Sequence, residues 1–358
     1  MNGLPPGSVI GILGGGQLGR MTALAAYPLG YQVHIFSPEE GPATQVTPLR
    51  TLAQYEDEDA LARFADSVHA VTYEFENVPS ATAEFLAARV PVRPGPHALA
   101  ICQHRVREKQ FLHDAGVGTT RWGAALNADD VARWVSEFGA PCVLKTSRFG
   151  YDGKGQTIVR SVDDAARAWT AVSRGRDGVE CIVEAFVDFS MEASVVVARG
   201  VRGDVASFDL VENIHRDHIL NRTIAPARVT EDVAAQADTI AHTVINALDY
   251  VGVLGIEMFV GRDGRVLVNE LAPRPHNSGH WTQNGCVTSQ FEQTVRAVMG
   301  LPLGSPRRLA DAEMFNLIGD DVLRVPELLT DPNNHVHLYG KAEWRPGRKM
   351  GHVNRLRF

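Results

Sequence analysis

The sequence Gly255-Ile-Glu-Met-Phe-Val260, continuing through Gly261-Arg-Asp-Gly264 into Arg265-Val-Leu-Val-Asn-Glu-Leu271, is the most informative segment of this 358-residue chain. Two apolar runs flank Asp263-Gly264, a combination that predicts a β-hairpin. If those two residues form the loop, Arg262 pairs with Arg265 and Glu257 lies opposite Glu270. A four-residue loop instead places the two glutamates diagonally on one face.

Two facing carboxylates on an otherwise apolar ribbon need a compensating charge. At about 5 Å they repel each other by about 3 kcal/mol at an effective dielectric near 20. A shared proton, a basic residue or a cation can offset this. Oxygen ligands with Asn269 beside them favour Mg²⁺, with Mn²⁺ as the alternative. The competing interpretation leaves one glutamate in solvent and pairs the other with Arg274.

A second polar segment lies upstream, where Val143-Leu144-Lys145 predicts a strand that ends in a cation. The loop Gly150-Tyr-Asp-Gly-Lys-Gly-Gln156 follows, and it is not a P-loop because Gly155 follows Lys154. A glycine-rich turn between strands can close over a triphosphate as a lid while Lys145 neutralises charge. The alternative is an exposed hairpin tip. Further on, the backbone of Cys181–Glu184 could read a purine edge, and Glu192 could bind a ribose or base.

The first hundred residues alternate short apolar runs with helical patterns, which predicts a parallel βαβ sheet. Gly14, Gly16 and Gly19 match GxGxxG, a pattern that favours phosphate at a helix N-terminus. A nicotinamide site normally has an acidic residue at the end of the second strand, where this chain has Ser37-Pro38. A monophosphate or ribotide therefore suits the loop better than NAD, and a purely structural turn is the other option.

Composition sets the outer limits. The net charge is -7 with no long basic run, which argues against an extended nucleic-acid surface. Four widely separated cysteines fit a reducing cytoplasm. No run of 18 apolar residues occurs, so we expect no membrane span. Prolines and a glycine at 91–96 suggest a domain boundary, followed by a helix from about Leu99 to Ala115.

Several motifs spread along the chain together resemble the ATP-grasp superfamily, and more closely its 5-(carboxyamino)imidazole ribonucleotide synthetase family. The motifs are Gly14-Gly-Gly-Gln-Leu-Gly-Arg-Met21, Tyr73-Glu-Phe-Glu-Asn-Val78, Gly150-Tyr-Asp-Gly-Lys-Gly-Gln156, Glu212-Asn-Ile-His-Arg-Asp217, Asn269-Glu-Leu-Ala-Pro-Arg274, His276-Asn-Ser-Gly-His-Trp-Thr-Gln-Asn-Gly285 and Arg345-Pro-Gly-Arg-Lys349. One departure is Phe149, where many relatives have another glycine.

The resemblance implies a mixed α/β and α+β fold in three parts. These are an N-terminal Rossmann-like, pre-ATP-grasp domain over 1–98, an ATP-grasp domain over 99–300 with a mobile lid at about 118–186, and a small C-terminal domain over 301–358. It also implies a ligase in which ATP and bicarbonate carboxylate the exocyclic amine of 5-aminoimidazole ribonucleotide through carboxyphosphate, in purine biosynthesis. The expected cofactors are ATP and Mg²⁺, and the expected assembly is a cytoplasmic homodimer with no nucleic-acid or membrane partner.

Site residues carry over by position, and each set shares one ligand. The ATP set is Arg105, Lys145, Gly150, Tyr151, Asp152, Gly153, Lys154, Gly155, Gln156, Glu184, Ala185, Phe186, Val187, Glu192, His215, Asn269 and Glu270. The metal set is Glu257 and Glu270. The ribotide set is Gly15, Gly16, Gln17, Leu18, Glu76, Tyr151, Lys341 and Arg348.

Catalysis is expected from Asp152, Arg274, His276 and Lys341. Asp152 would accept the amine proton or orient the amine, Arg274 would join Lys145 in stabilising phosphoryl charge, and His276 with Asn277 would orient bicarbonate. His276 and His280 are four residues apart, but Ser278-Gly279 between them disfavours a helical zinc site.

Two other functions compete. Another ATP-grasp ligase, such as a formate-dependent glycinamide ribotide transformylase or a biotin carboxylase, is disfavoured by Tyr151-Asp152 and by the 276–285 motif. A nucleotide-binding module without catalysis is disfavoured because Lys145, Glu257 and Glu270 are all present.

Overall fold

A computed structural model describes residues 3–148, 155–176 and 178–358. The N-terminal part alternates strands and helices as the sequence predicts: β1 (Val9–Leu13), α1 (Gln17–Ala26), β2 (Gln32–Ser37), β3 (Leu49–Leu52), α2 (Glu58–Ser67), β4 (Ala70–Tyr73) and α3 (Ser80–Ala87). The strands pair in parallel in the order β3-β2-β1-β4. The turn that leads from β1 into α1 and the end of β4 therefore meet at the carboxyl edge of this sheet.

The sequence predicts one helix from about Leu99 to Ala115, and this prediction is wrong in one respect, because the helix is interrupted. The structure has α4 (Pro96–Cys102) and α5 (Arg105–Asp114), with His104 in an extended conformation between them. Tertiary hydrogen bonds hold the break: Gln103 donates to the carbonyl of Glu76 at 2.7 Å, and the Arg105 amide donates to the carbonyl of Ser147 at 2.9 Å. The break places Arg105 at the start of a helix that points toward the hairpin.

A separate small sheet follows, built from β5 (Trp122–Ala125), α6 (Ala128–Phe138), β6 (Cys142–Thr146), β7 (Gln156–Val159), α7 (Ala165–Ser173) and β8 (Cys181–Ala185). Its strands are antiparallel in the order β5-β8-β6-β7. Both helices pack on this sheet around their own core, which includes Val131, Leu144 and Val183. Lys145 and Glu184 lie on its adjacent strands β6 and β8.

The rest of the chain contributes β9 (Phe189–Arg199), β10 (Val205–Ser207), β11 (Val211–Arg216), β12 (Ile219–Ala225), α8 (Glu231–Ala247), β13 (Gly252–Gly261), β14 (Val266–Ala272), α9 (Thr282–Gly285), α10 (Gln290–Met299), β15 (Asp311–Ile318), α11 (Val325–Leu328), β16 (Asn334–Leu338) and β17 (Lys349–Arg357). The strands form one sheet in the order β14-β13-β9-β11-β12-β15-β17-β16, with β10 beside β9. The C-terminal strands thus continue the sheet that carries the hairpin, which brings Lys349 toward the same surface.

The hairpin of β13 and β14 confirms the pairing of Glu257 with Glu270 but not the predicted loop. Val260 pairs with Val266, and the amide of Gly261 donates to the carbonyl of Arg265 at 2.8 Å, so the loop contains three residues rather than two. Gly264 is left-handed at its third position, φ +79°, as such loops require. A β-bulge then absorbs Asn269 and restores the opposition of the two glutamates.

Helix α10 joins the N-terminal sheet to the large sheet. Val295, Val298 and Met299 share a core with Ile10 and Ile35 of the parallel strands. This packing holds the carboxyl edge of the parallel sheet against the hairpin and the segment that follows it. Within the described residues, the helices are too short or too polar for any to cross a membrane.

Candidate active site

A cavity of about 370 Å³ lies where the N-terminal sheet, the hairpin and the C-terminal strands meet. Its lining includes Gly16, Gln17, Leu18, Glu74, Glu76, His215, Glu257, Glu270, Arg274, His276, Asn277 and Lys349. Members of the predicted metal, ATP and ribotide sets therefore border one space. The tertiary structure brings them together from segments that are far apart in the sequence.

The paired glutamates have different partners. His276 Nε2 lies 3.0 Å from Glu257 Oε1, and the guanidinium of Arg105 lies 3.7 Å from Glu270 Oε2. Burial alone would raise the pKa of Glu257, but the hydrogen bond and charge of His276 hold it at about 2. Burial and then the charge of Glu257 raise the pKa of Glu270. A dication at this pair would relieve the repulsion.

The small sheet faces these carboxylates with a second charged group. Glu184 lies 2.5 Å from the ammonium of Lys145 through one oxygen and 3.3 Å from the ammonium of Lys109 through the other. Burial would raise the pKa of Glu184, but Lys109 and then Lys145 outweigh it and hold the pKa at about 2. Lys145 lies near the end of strand β6, as the sequence predicts, and its charge acts on Glu270 of the hairpin.

The predicted purine edge needs a correction. Strand β8 pairs with β5 on one side and β6 on the other, so the backbone of Cys181–Glu184 is committed to the sheet and does not offer groups to a base. The side chain of Glu184 is paired with Lys109 and Lys145. Phe186, with 53% of its surface exposed, lies just beyond the paired strand together with Val187, where an adenine could lie.

Glu192 and His215 form a pair on neighbouring strands β9 and β11, with Nδ1 of the histidine 2.9 Å from the carboxylate. Burial alone would lower the pKa of His215, but the hydrogen bond and charge of Glu192 raise it. Glu192 also lies opposite Phe259 of the hairpin. Both residues therefore belong to the same face as Glu257.

Arg274 forms a two-pronged pair with Glu76, with Nε 2.5 Å and Nη2 3.3 Å from the two carboxylate oxygens. Burial would raise the pKa of Glu76, but the charge of Arg274 holds it at about 2. The alternative that paired Arg274 with a hairpin glutamate is therefore wrong. Arg274 instead joins the end of the N-terminal sheet to the segment after β14.

Two asparagines at this site present buried polar atoms that have no hydrogen-bond partner among the described residues: Oδ1 of Asn269, and both Oδ1 and Nδ2 of Asn277. An unsatisfied buried polar group is costly, so we expect a water, an ion or a ligand to complete these atoms. Asn269 is the bulged residue beside Glu270, so an oxygen-rich donor set fits Mg²⁺ there. Asn277 lines the cavity and suits a small polar substrate.

The glycine turn before α1 is already bound by a protein carboxylate. Glu74 accepts hydrogen bonds from the amide of Gly16 and, at 2.7 Å, from the amide of Gly19. A Cβ at Gly16 would fall 2.5 Å from Glu74, so the glycines make room for this side chain. Burial raises the pKa of Glu74. The ribotide-phosphate role of residues 15–18 stays a prediction, with Glu74 occupying two of the amide donors.

The C-terminal cations approach the same turn. Lys341 donates to the carbonyl of Lys349 at 2.6 Å, and its charge acts on Glu74. Burial, then Arg348 and Lys349, lower the pKa of Lys341 to about 8. Arg348 donates to the carbonyl of Glu343 at 2.9 Å and is partly buried.

The predicted residues Gly150, Tyr151, Asp152, Gly153 and Lys154 lie outside the described residues. Gly155 and Gln156 are described: Gly155 is left-handed at φ +73°, and Gln156 begins β7 opposite Lys145. The C-terminal end of the glycine-rich loop thus lies beside Lys145.

Sequence reasoning missed three residues at this site: Glu74, Lys109 and Lys349. Glu74 lies in the motif from which only Glu76 was selected, and Lys349 ends the last motif. Lys109 was detectable, because it follows Arg105 by four residues and a helix places residues at that spacing on one face.

The opposed carboxylates, the facing lysine and the two sheets define an ATP-grasp ligase. Family models agree: an ATP-grasp domain matches residues 110–291, a ribonucleotide synthetase preATP-grasp domain matches 8–103, and a phosphoribosylaminoimidazole carboxylase C-terminal domain matches 312–357.

Individual relatives are more specific. The chain is 48% identical over 357 residues to the N5-carboxyaminoimidazole ribonucleotide synthase of Brucella melitensis, covering 99% of this chain and 98% of that protein. A crystal structure of an ADP complex of N5-carboxyaminoimidazole ribonucleotide synthetase superposes with a TM-score of 0.95 at 40% identity, covering 100% and 94% of the two chains. The Aspergillus clavatus enzyme in complex with ADP and 5-aminoimidazole ribonucleotide gives 0.91 at 31% identity, covering 98% and 94%. The chain belongs to the N5-carboxyaminoimidazole ribonucleotide synthase family.

Proposed function

We propose that this protein carboxylates the exocyclic amine of 5-aminoimidazole ribonucleotide, using ATP and bicarbonate, in purine biosynthesis. The observation that carries the proposal is the single cavity that joins the glycine turn, Glu76 and Arg274 to the paired carboxylates Glu257 and Glu270. One end of that space has cations suited to a ribotide phosphate, and the other has the groups that would hold a nucleotide triphosphate.

The first step needs charge stabilisation more than covalent chemistry. An oxygen of bicarbonate attacks the γ-phosphorus, the bond from that phosphorus to the ADP oxygen breaks, and carboxyphosphate forms with ADP. Mg²⁺ held by Glu257 and Glu270 would neutralise phosphate charge when bound. Lys145 adds a cation from the opposite sheet, and the unsatisfied amide of Asn277 offers donor and acceptor groups that could orient bicarbonate.

The second step transfers the carboxyl group. The amine nitrogen attacks the carboxyl carbon, the bond to the phosphate oxygen breaks, and the nitrogen loses a proton to give the carbamate. Asp152 is the proposed acceptor of that proton. Carboxyphosphate reacts readily with water, so the proposal also requires closure of the 118–186 segment over the cavity during turnover.

His276 has a supporting role in this proposal. Its Nε2 binds Glu257 and its Nδ1 lies 2.8 Å from the hydroxyl of Ser278, so both ring nitrogens are engaged. It therefore orients a metal carboxylate, as outer groups commonly do around metal sites. We propose that bicarbonate is oriented mainly by Asn277.

From the family resemblance we also propose that the protein is a homodimer and is located in the cytoplasm.

The direct test is ADP release by the purified protein with MgATP and bicarbonate, with and without 5-aminoimidazole ribonucleotide. Release that depends on the ribotide, with incorporation of labelled bicarbonate into an acid-labile product, supports the proposal. ATP turnover that is indifferent to this ribotide would favour the alternative, another ATP-grasp ligase with a different carboxylate or ribotide amine.

A further inference from the structure

Lys109 is a buried cation at the centre of the nucleotide half of the site. Its side chain is 1% exposed, and its ammonium donates to the carbonyl of Asn269 at 2.7 Å and lies 3.3 Å from Glu184. A group this deeply buried does not reach the open cavity. Apart from its charge, Lys109 therefore acts on a nucleotide through groups that it contacts, such as Asn269 and Glu184.

Glu184 is shared by two lysines. Lys109 approaches one carboxylate oxygen from the interior, and Lys145, with 14% of its side chain exposed, approaches the other at 2.5 Å. Two ammonium groups and one carboxylate leave a net charge of one positive unit. Since Lys109 is enclosed, that unit is expressed at Lys145, which faces the phosphate side.

Lys109 also connects the two sheets. Glu184 and Lys145 belong to the small sheet, whereas Asn269 is the bulged residue of the hairpin beside Glu270. The same ammonium thus holds the lysine that would bind phosphate and the hairpin that would bind metal at a fixed separation. Arg105, one turn earlier on α5, makes the matching contact to Glu270 at 3.7 Å.

We propose that Lys109 is a positioning residue for the nucleotide phosphates: it neutralises Glu184 from the buried side and so leaves the charge of Lys145 available to the triphosphate. This inference rests on the proposed ATP-dependent function. In this proposal Lys109 touches no substrate, but it sets the net charge that Lys145 presents to the phosphates.

The test compares nucleotide binding by four proteins: wild type, Lys109→Met, Lys109→Met/Glu184→Gln and the control Arg107→Met. Arg107 is an exposed cation on the same helix, so its removal matches the loss of net charge without touching Glu184. The double variant restores one net positive charge, now on Lys145 alone. Affinity for ADP with Mg²⁺ is measured by calorimetry, and affinity for adenosine is measured by competition. Circular dichroism establishes that each variant is folded.

We expect Lys109→Met to weaken ADP binding on the order of tenfold, the effect of removing one unit charge about 12 Å from a phosphate charge at an effective dielectric of about 20. Adenosine, which has no phosphate, should bind as it does to wild type. The double variant should recover most of the lost affinity, and Arg107→Met should bind like wild type.

Unchanged ADP affinity in Lys109→Met would overturn the inference. So would equal losses for ADP and adenosine without recovery in the double variant, because that pattern describes a general structural role. If the wild-type protein binds neither ADP nor adenosine, the proposed function fails, and this result is distinguishable from failure of the Lys109 inference. Should Lys109→Met prove unfolded, Lys109→Gln removes the same charge while keeping a donor for the carbonyl of Asn269, and it supplies the same comparison of net charge.

Discussion

Replacing Glu270 by glutamine should stabilise the protein without ligands while abolishing its activity. Glu270 lies directly opposite Glu257 on the hairpin. Opposed residues on neighbouring strands are roughly 5 Å apart, at which two carboxylates repel by about 3 kcal/mol at an effective dielectric near 20. Glutamine keeps the shape of the side chain and removes that repulsion.

The net gain is smaller than this figure. The two side chains are 22% and 44% exposed toward the cavity, so water screens their charges, and Arg105 at 3.7 Å from Glu270 loses one ionic contact. We therefore expect a gain of about 1 kcal/mol, which raises the thermal midpoint by about 2 °C. Adding ADP with Mg²⁺ should raise the midpoint of wild type but not that of the variant, because the metal ligand is missing.

A matched control tests whether the sign of the change in thermal midpoint depends on the opposed carboxylates. Glu313 is buried, accepts a hydrogen bond from Arg222 and forms an ion pair with Arg357 at 2.7 Å. The same substitution there removes attraction rather than repulsion, so Glu313→Gln should lower the midpoint. The measurements are thermal unfolding with and without ligands and the rate of ADP release. A Glu270→Gln midpoint that falls as far as that of Glu313→Gln, or wild-type ADP release, would refute the assignment of opposed metal carboxylates.

Three further predictions use other parts of the site and its surroundings. Arg274→Met should destabilise the protein by about 2–4 kcal/mol because it leaves Glu76 partly buried without its cation. Adding Glu76→Gln should recover about half of this loss of stability, which a double-mutant cycle by denaturant unfolding would measure. Simple additivity of the two destabilisations would argue against the pair. Since the pKa of Lys341 is lowered to about 8, mainly by burial, affinity for the ribotide should decrease above about pH 8 as the ammonium loses its charge. The Lys341→Arg variant should keep its affinity to higher pH. Wild-type affinity that stays constant up to about pH 9.5 would contradict this prediction. Burial, and then the charge of His335, lower the pKa of His337 from 6.5 to about 4, so its neutral form contributes stability above pH 6.5 that is lost as the pH falls toward 4. His337→Gln should therefore reduce the slope of the unfolding free energy against pH on the acid side by about one proton. Equal slopes in the variant and wild type would show that His337 is not responsible.

The sequence alone determined the local elements and the chemistry of the site. Short apolar runs and turn glycines predicted the parallel strands of the N-terminal part and the hairpin, because these signals act between neighbouring residues. The carboxylate pair and the facing lysine also followed from residue types and spacing. The family resemblance then identified the ligase class, which the comparisons confirm.

The tertiary structure decided features that depend on contacts between distant segments. The break between α4 and α5 forms because Gln103 and Arg105 find partners in other parts of the chain, an effect that helical propensity does not contain. Glu74 occupies the helix N-terminus for which the glycine pattern favoured a phosphate. In both cases a long-range hydrogen bond overrides a local preference.

The geometry of the metal hairpin is the clearest example. The sequence placed Glu257 opposite Glu270 by assuming a two-residue loop, whereas the protein uses a longer loop and a bulge at Asn269. Lys109, 160 residues away along the chain, binds the carbonyl of that bulged residue. Sequence patterns determine which residues share a strand or helix face, but only packing determines which of those faces meet, because the free energy that holds a bulge or a buried lysine comes from groups that are distant in sequence.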